Sequence, residues 1–283
     1  MDQALQSNRL SVLKYCNLSE KDIESDVDIV LSSVKQLPHF PKFKEVGFVL
    51  CLIRKNIYPE FFDNWDLCSP EFVNTLDVCR IIPLPRLTTE LDRISVIEVT
   101  DKLSDIYDPI THAKICLMGW ETRFQYDYNV REILVIDASK VNMTLIKKLT
   151  PSLIKKGFDV GIKGYSLRLA GAHVLYPPSG LSIILSIVKV IMKPKLYERI
   201  YLHNNLESLH KVVPKELLPK NYGGDFPDSQ TLSDQWYNIL RNNRLSLMEE
   251  SQRRTDESKR NVKLNDDEFF GPMHGSFKKL EFD

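Results

Sequence analysis

The sequence lacks the features that define several common classes of protein. Its 38 basic and 38 acidic residues leave no net charge, which argues against a protein held on nucleic acid by its overall charge. Its five cysteines are odd in number and form no Cys-x-x-Cys pair, which disfavours a disulfide framework and a zinc knuckle. The first ten residues have no apolar core, so we expect no signal peptide and a cytoplasmic protein.

Signatures of catalysis are also missing. The sequence contains no Gly-x-x-x-x-Gly-Lys loop, no Gly-x-Gly-x-x-Gly fingerprint and no Gly-x-Ser-x-Gly elbow. Its six histidines show no metal-binding spacing, and we expect structural roles for His173 and His203, which fall in predicted strands. Asp137 ends an apolar strand without a recognisable partner, which favours a cap or turn role over a general base. We therefore predict no enzyme activity, no cofactor and no metal.

The most informative feature that is present is an apolar run at residues 181–192. It is too short to cross a bilayer, which takes about 20 apolar residues, and Pro194 follows it. On a helix its polar neighbours share one narrow stripe: Ser182, Ser186, Lys189 and Lys193. The remaining apolar arc of roughly 220° is wider than one core-facing side requires. Two interpretations remain, a helix buried in the core and a lid that covers an apolar cavity and meets a second apolar phase when it moves.

Strands and helices are predicted to alternate through the middle of the chain. Apolar or β-branched runs indicate strands at residues 93–100, 131–137, 167–176 and 199–203. Helical patterns separate them at residues 110–125, 143–156 and 181–192. This order favours an α/β fold with a mainly parallel sheet and crossover helices.

The two ends of the chain differ from this middle part. Before it, a helix capped at Ser19 and a second helix at residues 48–55 are predicted, and prolines at 83 and 85 indicate a boundary. After it, the pattern predicts a helix at 231–250, a charged linker at 251–268 and a strand-like tail at 275–282. We therefore divide the chain into a helical N-terminal domain (1–80), a central domain (82–230) and a C-terminal helix, linker and docking tail (231–283).

Several short motifs occur in a characteristic order. They are Tyr107-Asp-Pro109, Leu134-Val-Ile-Asp137, Thr150-Pro151, Pro177-Pro-Ser-Gly before the apolar run, Lys195-Leu-Tyr-Glu-Arg-Ile-Tyr-Leu-His203, Leu218-Pro-Lys-Asn-Tyr-Gly-Gly224 and Gly275-Ser-Phe-Lys-Lys-Leu. Together, over residues 82–283, they resemble the CRAL-TRIO lipid-binding domain, especially the branch of alpha-tocopherol transfer protein and retinaldehyde-binding protein. The last motif resembles insect-type members.

The resemblance implies a mixed, mainly parallel sheet that floors an apolar cavity, with residues 181–192 as a mobile helical lid. By position, it implies a lipid pocket lined by Met118, Ile136, Leu149, Leu153, Val160, Tyr165, Leu167, Ile183, Ile187 and Ile191. It also implies a phosphoinositide headgroup site formed by Arg168, Lys195 and Arg199. Plain core packing is the alternative for the pocket residues, and a solvated basic surface is the alternative for the cations.

One departure from the family affects the headgroup site. A basic helix that precedes the segment at residues 57–62 in family members is missing, so the N-terminal domain is interpreted as shortened and the site as lacking one cation. The leading hypothesis is a monomeric, non-catalytic carrier of a tocopherol-, retinoid- or carotenoid-like lipid, which visits phosphoinositide-containing membranes transiently. The alternatives are a phosphoinositide-dependent adaptor or lipid sensor in membrane traffic, and a degenerate member with an unstable pocket.

Overall fold

The computed structural model describes residues 5–37, 40, 49–102 and 107–259. Within them it contains the helices α1 (Arg9–Tyr15), α2 (Glu20–Lys35), α3 (Val49–Ile57), α4 (Pro70–Val78), α5 (Pro109–Arg123), α6 (Met143–Lys148), α7 (Pro151–Phe158), α8 (Leu181–Ile191), α9 (Pro194–Tyr197), α10 (Leu206–His210), α11 (Ser229–Asn242) and α12 (Arg244–Gln252). The strands are β1 (Cys79–Leu87), β2 (Arg93–Val99), β3 (Glu132–Asp137), β4 (Leu169–Leu175) and β5 (Ile200–His203). None of these helices is long and apolar enough to span a bilayer.

The five strands form one mixed sheet in the order β1-β2-β3-β4-β5. β1 pairs antiparallel with β2, and β2 to β5 run parallel to one another. This confirms the predicted α/β class with a mainly parallel sheet. Because the parallel strands follow one another in sequence order and such crossovers are almost always right-handed, their connecting helices lie on the same face.

We call this covered side the helix face and the opposite side the tail face. Since side chains alternate along a strand, the register places one row of residues on the helix face: Ile81, Ile97, Ile136, Val174 and Leu202. The tail face carries Ile82, Ile94, Val96, Val135 and Leu175, which pack against the segment after β5 in a cluster with Leu209, Val213, Leu218 and Tyr222.

A second hydrophobic cluster joins the three sequence segments. Phe61 and Phe72 from the N-terminal part pack with Met118 of α5, Trp236 of α11 and Leu247 of α12. The division into three domains therefore stays a prediction, while packing among the segments is direct.

Buried ion pairs fix α5 to the sheet. The Asp127 carboxylate accepts hydrogen bonds from the guanidinium groups of Arg93 on β2 (2.6 Å) and Arg123 on α5 (2.8 Å). Arg123 also pairs with Glu132 of β3. Burial alone would raise the pKa of Asp127, but the two guanidinium groups outweigh it and lower that pKa. Each charge in this interior thus has a partner of opposite sign.

Most predicted elements are present with shifted bounds, and three parts of the prediction differ in kind. Pro83 and Pro85, interpreted as a boundary, lie inside β1, an edge strand with an irregular register that tolerates residues without an N–H. The helix predicted at 143–156 is two helices, because Pro151 forces Thr150 into an extended conformation (φ −68°, ψ 153°). The helix predicted at 231–250 likewise divides into α11 and α12 at Asn243.

The remaining C-terminal predictions are only partly described. Residues 251 and 252 belong to α12, and residues 257–259 form a short 3-10 turn. Residues 260–268 of the predicted linker and the predicted strand at 275–282 lie outside the described residues.

Candidate functional site

The two faces of the sheet differ sharply in how tightly they are packed. On the tail face, Ile94, Val96 and Val135 are 0% exposed, and among the apolar residues of β2 and β3 on this face only Ile133 retains some free surface. On the helix face of the same central strands, Ile97, Leu134 and Ile136 all remain partly exposed, although Val174 beside them is buried. This free apolar surface is on the face of the sheet that carries the crossover helices.

Three helices, α6, α7 and α8, belong to the crossovers on this face of the sheet. Leu145 of α6 packs near Ile97, which places α6 over the helix face. α7 follows and contacts α8, the apolar helix predicted as a lid. A methyl group at Gly180, the residue before α8, would come within 2.6 Å of Met143 Sδ and 2.7 Å of Ile146 Cδ1. The lack of a side chain at Gly180 therefore leaves room for the ends of Met143 and Ile146 where α8 starts against α6.

The predicted lid is helical but shallowly anchored. Of α8 and its C-cap, only Val188 and Met192 are buried, and the predicted pocket residues Ile187 and Ile191 are partly exposed. Ile183 and Val190 are 48% and 86% exposed, respectively. Apolar residues thus point to both sides of the helix, which agrees with the two apolar exposures expected from its sequence.

The ten predicted pocket residues divide into two groups. Met118, Val160 and Tyr165 are buried in the cluster shared with the N-terminal helices and have almost no free surface. The others retain free surface: Ile136, Leu149, Leu153, Leu167, Ile183, Ile187 and Ile191. This second group has the exposed apolar area that a ligand could cover. Contact with a ligand stays a prediction for all ten.

The N-terminal part is tied to α7 by a small polar cluster. The Tyr58 hydroxyl donates a hydrogen bond of 3.0 Å to Asp159 Oδ2, at the end of α7. Lys156 Nζ of α7 lies 2.7 Å from Glu60 Oε1 and 6.0 Å from the centre of the Tyr58 ring. Burial and the adjacent carboxylate raise the pKa of Tyr58 to about 12. These contacts hold α7, and through it the lid, against the residues before the sheet.

Two of the predicted headgroup cations, Arg168 and Arg199, lie at the amino ends of β4 and β5, and Lys195 lies in α9. The Arg199 guanidinium donates to the Leu169 carbonyl, directly after Arg168. Arg168 and Lys195 are exposed, whereas Arg199 is partly buried. α9 ends at Tyr197, so Lys195 and Arg199 do not share one helix as their spacing suggested. Arg199 therefore combines a structural bond with its place in the cationic group.

The two histidines and the aspartate considered for chemistry make structural contacts. His173 Nδ1 lies 3.0 Å from His203 Nε2, and burial, with a smaller effect of His203, lowers the pKa of His173 to about 4. Asp137 accepts a hydrogen bond from Ser139 N (2.9 Å) and another from the Tyr222 hydroxyl (2.9 Å). The turn role expected for Asp137 is confirmed. Among the described residues, no three His, Cys, Asp or Glu side chains converge as metal ligands would.

A buried polar pair was missed by the sequence analysis. The Tyr107 hydroxyl lies 2.9 Å from His112 Nδ1, inside an apolar cluster that includes Val99 and Leu145. The five-residue spacing across the start of α5 gave no signal, because the contact requires Tyr107 to precede the helix in an irregular segment.

The central part of the chain matches a known family model. Residues 119–224 match the family model of the CRAL/TRIO domain, and these residues include every predicted pocket and headgroup position except Met118. This central stretch, a little over a third of the chain, is therefore similar to the CRAL/TRIO domain, the family that the motifs of the sequence resemble.

Particular relatives share a shorter stretch. Clavesin-1 of Rattus norvegicus is 35% identical over 96 residues, which are 34% of this chain and 27% of that protein. Clavesin-2 of Homo sapiens is 32% identical over 96 residues, 29% of its length. The match thus spans less than a third of these curated relatives. A crystal structure of Sfh5 aligns with 66% of this chain and covers 72% of the Sfh5 chain, with 12% sequence identity and a TM-score of 0.42.

Proposed function

We propose that this protein is a non-catalytic carrier that binds one hydrophobic lipid between the helix face of the sheet and helices α6 to α8. The observation that carries the proposal is the contrast between the two sides of β3. Val135 is fully packed, whereas Leu134 and Ile136, its neighbours on the same strand, keep free apolar surface on the face that carries the crossover helices. A lipid in this space replaces water against those side chains.

The hydrophobic effect makes such a complex favourable. A ligand that hides about 400 Å² of apolar surface gains on the order of 10 kcal/mol before the entropic cost of binding. Because the crossover helices lie on this face, the lipid enters and leaves when α8 moves. The shallow anchoring of α8 by Val188 and Met192 supports this role. We propose a tocopherol-, retinoid- or carotenoid-like molecule as the ligand.

Exchange is proposed to take place at anionic, phosphoinositide-containing membranes, during transient peripheral contact from the cytoplasm. Arg168, Lys195 and Arg199 form one basic group near the end of the lid, and arginine can hold a phosphate through two parallel hydrogen bonds. An anionic lipid promotes opening if it binds the open form more tightly than the closed form. The exposed apolar residues Ile183 and Val190 support contact with the membrane.

The absence of chemistry is part of the proposal. The groups that could act as bases are engaged in structural bonds: Asp137 with Tyr222 and Ser139, and His173 with His203. The lowered pKa of His173 keeps it neutral near pH 7, which suits packing between strands.

Native mass spectrometry of the purified protein, followed by solvent extraction, tests the carrier function. We expect one lipid per monomer, either co-purified or acquired from a broad lipid mixture. Ile136→Trp, which fills the helix face, abolishes uptake, whereas Val190→Trp at the exposed side of α8 preserves it. Finding no lipid on the wild type after incubation with the mixture overturns the proposal. Tight binding of a phosphoinositide headgroup without any extractable apolar lipid would favour the adaptor alternative.

A further inference from the structure

His112 is a polar side chain with one hydrogen bond left unmade in an apolar interior. Its Nδ1 lies 2.9 Å from the Tyr107 hydroxyl, while its Nε2 is buried and has no hydrogen-bond partner among the residues that the structure describes. Tyr107 belongs to an apolar cluster with Val78, Val99 and Leu145. Leaving a buried polar atom unpaired is unfavourable, so a group that forms a hydrogen bond with Nε2 stabilises the protein.

The protonation state limits which groups can do so. Burial lowers the pKa of His112 to about 4 and raises that of Tyr107 above its ordinary value, so both are neutral near pH 7. If Tyr107 donates to Nδ1, the proton lies on Nε2, which is then a donor; in the other tautomer Nε2 is an acceptor. A hydroxyl group satisfies either tautomer. A carbonyl oxygen satisfies only the first, and a hydrocarbon satisfies neither.

The location of His112 connects it to the candidate lipid site. The Tyr107 cluster packs against Ile97, which adjoins Ile136 in the register of the helix face. A cleft of about 490 Å³ is lined by Tyr107 together with Lys148, Leu153 and Lys156. Through its contact with Tyr107, His112 is thus linked both to the cluster beside the helix face and to this cleft.

We propose that His112 Nε2 binds the hydroxyl oxygen of the carried lipid and thereby selects a monohydroxylated hydrophobic molecule over the corresponding hydrocarbon. This specificity role rests on the proposed carrier function. The lipid lies with its apolar part along Leu134 and Ile136 and its hydroxyl end beside Tyr107 and His112.

The test offers matched lipid pairs in phosphatidylcholine vesicles: retinol with axerophthene, cholesterol with cholest-5-ene, and hexadecanol with hexadecane. Bound lipid is measured by mass spectrometry after the protein is separated from the vesicles. For at least one pair, the wild type is expected to prefer the alcohol about tenfold, which corresponds to roughly 1.4 kcal/mol. His112→Phe lowers this ratio to near one while uptake of the hydrocarbon persists.

A second variant and a spectroscopic signal distinguish loss of the hydrogen bond at His112 from misfolding of the variant. His112→Gln keeps a side-chain group that can pair with a hydroxyl, and it is expected to restore part of the preference. In ¹⁵N spectra of the wild-type imidazole, the Nε2 signal of His112 shifts when the alcohol binds and stays in place with the hydrocarbon.

Equal uptake of both members of each pair overturns the inference, as does a preference that His112→Phe leaves intact, or uptake of none of the six lipids. The carrier function is judged separately. It fails only if native mass spectrometry finds no lipid bound from the broad mixture.

Discussion

A matched pair of substitutions tests whether the helix face borders a space or a packed core. Ile94 and Ile136 have the same side chain, lie on adjacent strands and face opposite sides of the sheet. Ile94 is 0% exposed, and Ile136 keeps free surface. The perturbation is Ile94→Ala in one variant and Ile136→Ala in the other, each measured without bound lipid.

The expected magnitudes follow from this difference. Ile94→Ala removes buried methyl groups and leaves a cavity, and such changes cost about 2–5 kcal/mol. Ile136 already borders free space, so its truncation creates no new cavity. Because its side chain is only partly buried in the wild type, less hydrophobic free energy is lost when it is removed. We expect Ile136→Ala to lower the free energy of unfolding by about 1–2 kcal/mol.

The assay is urea denaturation of lipid-free protein, with the free energies of unfolding compared at equal m-values. Added lipid provides a second readout, because a ligand that binds only the folded state raises stability. We expect this increase to persist in Ile94→Ala and to shrink in Ile136→Ala, which removes a contact with the ligand. Equal costs for the two substitutions in lipid-free protein would refute the reasoning, because Ile136 would then be ordinary core.

Three further predictions concern other parts of the molecule. Asp127→Ala removes a partner from the buried guanidinium groups of Arg93 and Arg123, so the free energy of unfolding, measured by heat or urea, should fall by about 3–5 kcal/mol. The control is Lys156→Met, which breaks a half-exposed ion pair and should lower the free energy of unfolding by less than about 1 kcal/mol. The pKa values of His112 and His173 are near 4 in the folded protein, against an ordinary value of 6.5, so the unfolded chain binds more protons between these pH values. The free energy of unfolding should therefore fall as the pH drops from about 6.5 towards 4. His173→Gln should make this dependence on pH weaker, and an unchanged slope would contradict the lowered pKa of His173. Replacing Ile187 and Ile191 together by Asp should slow membrane-dependent lipid transfer at least tenfold, and transfer at the wild-type rate would remove α8 from the role of lid.

The sheet was predictable from sequence where local pattern and tertiary packing agree. β2, β3 and β4 are runs of β-branched and apolar residues buried under helices, and their alternation with helical segments fixed the parallel arrangement. The Ser19 cap was equally legible, since the capping box with Asp22 is a local structure. β1 was missed because its prolines mimic a boundary, and only its position at the sheet edge makes them acceptable.

The candidate site was less predictable, because the exposed fraction of a side chain depends on its tertiary neighbours and not on its residue type. Met118 and Ile136 are both apolar and both occupy expected pocket positions, yet one is fully packed and the other is not. The buried Nε2 of His112 was also unpredictable, because its hydrogen bonding depends on which groups other segments place around it. Arg199 illustrates the same limit, since its bond to the Leu169 carbonyl arises from strand pairing rather than from spacing.

A crystal structure of the lipid-loaded protein tests the central claim most directly. The account predicts electron density for one lipid between β3 and α8, in contact with Leu134, Ile136 and Ile187, with its hydroxyl end beside His112. Density for the lipid outside this space, with the helix face closed by side chains as tightly as the tail face, would contradict it.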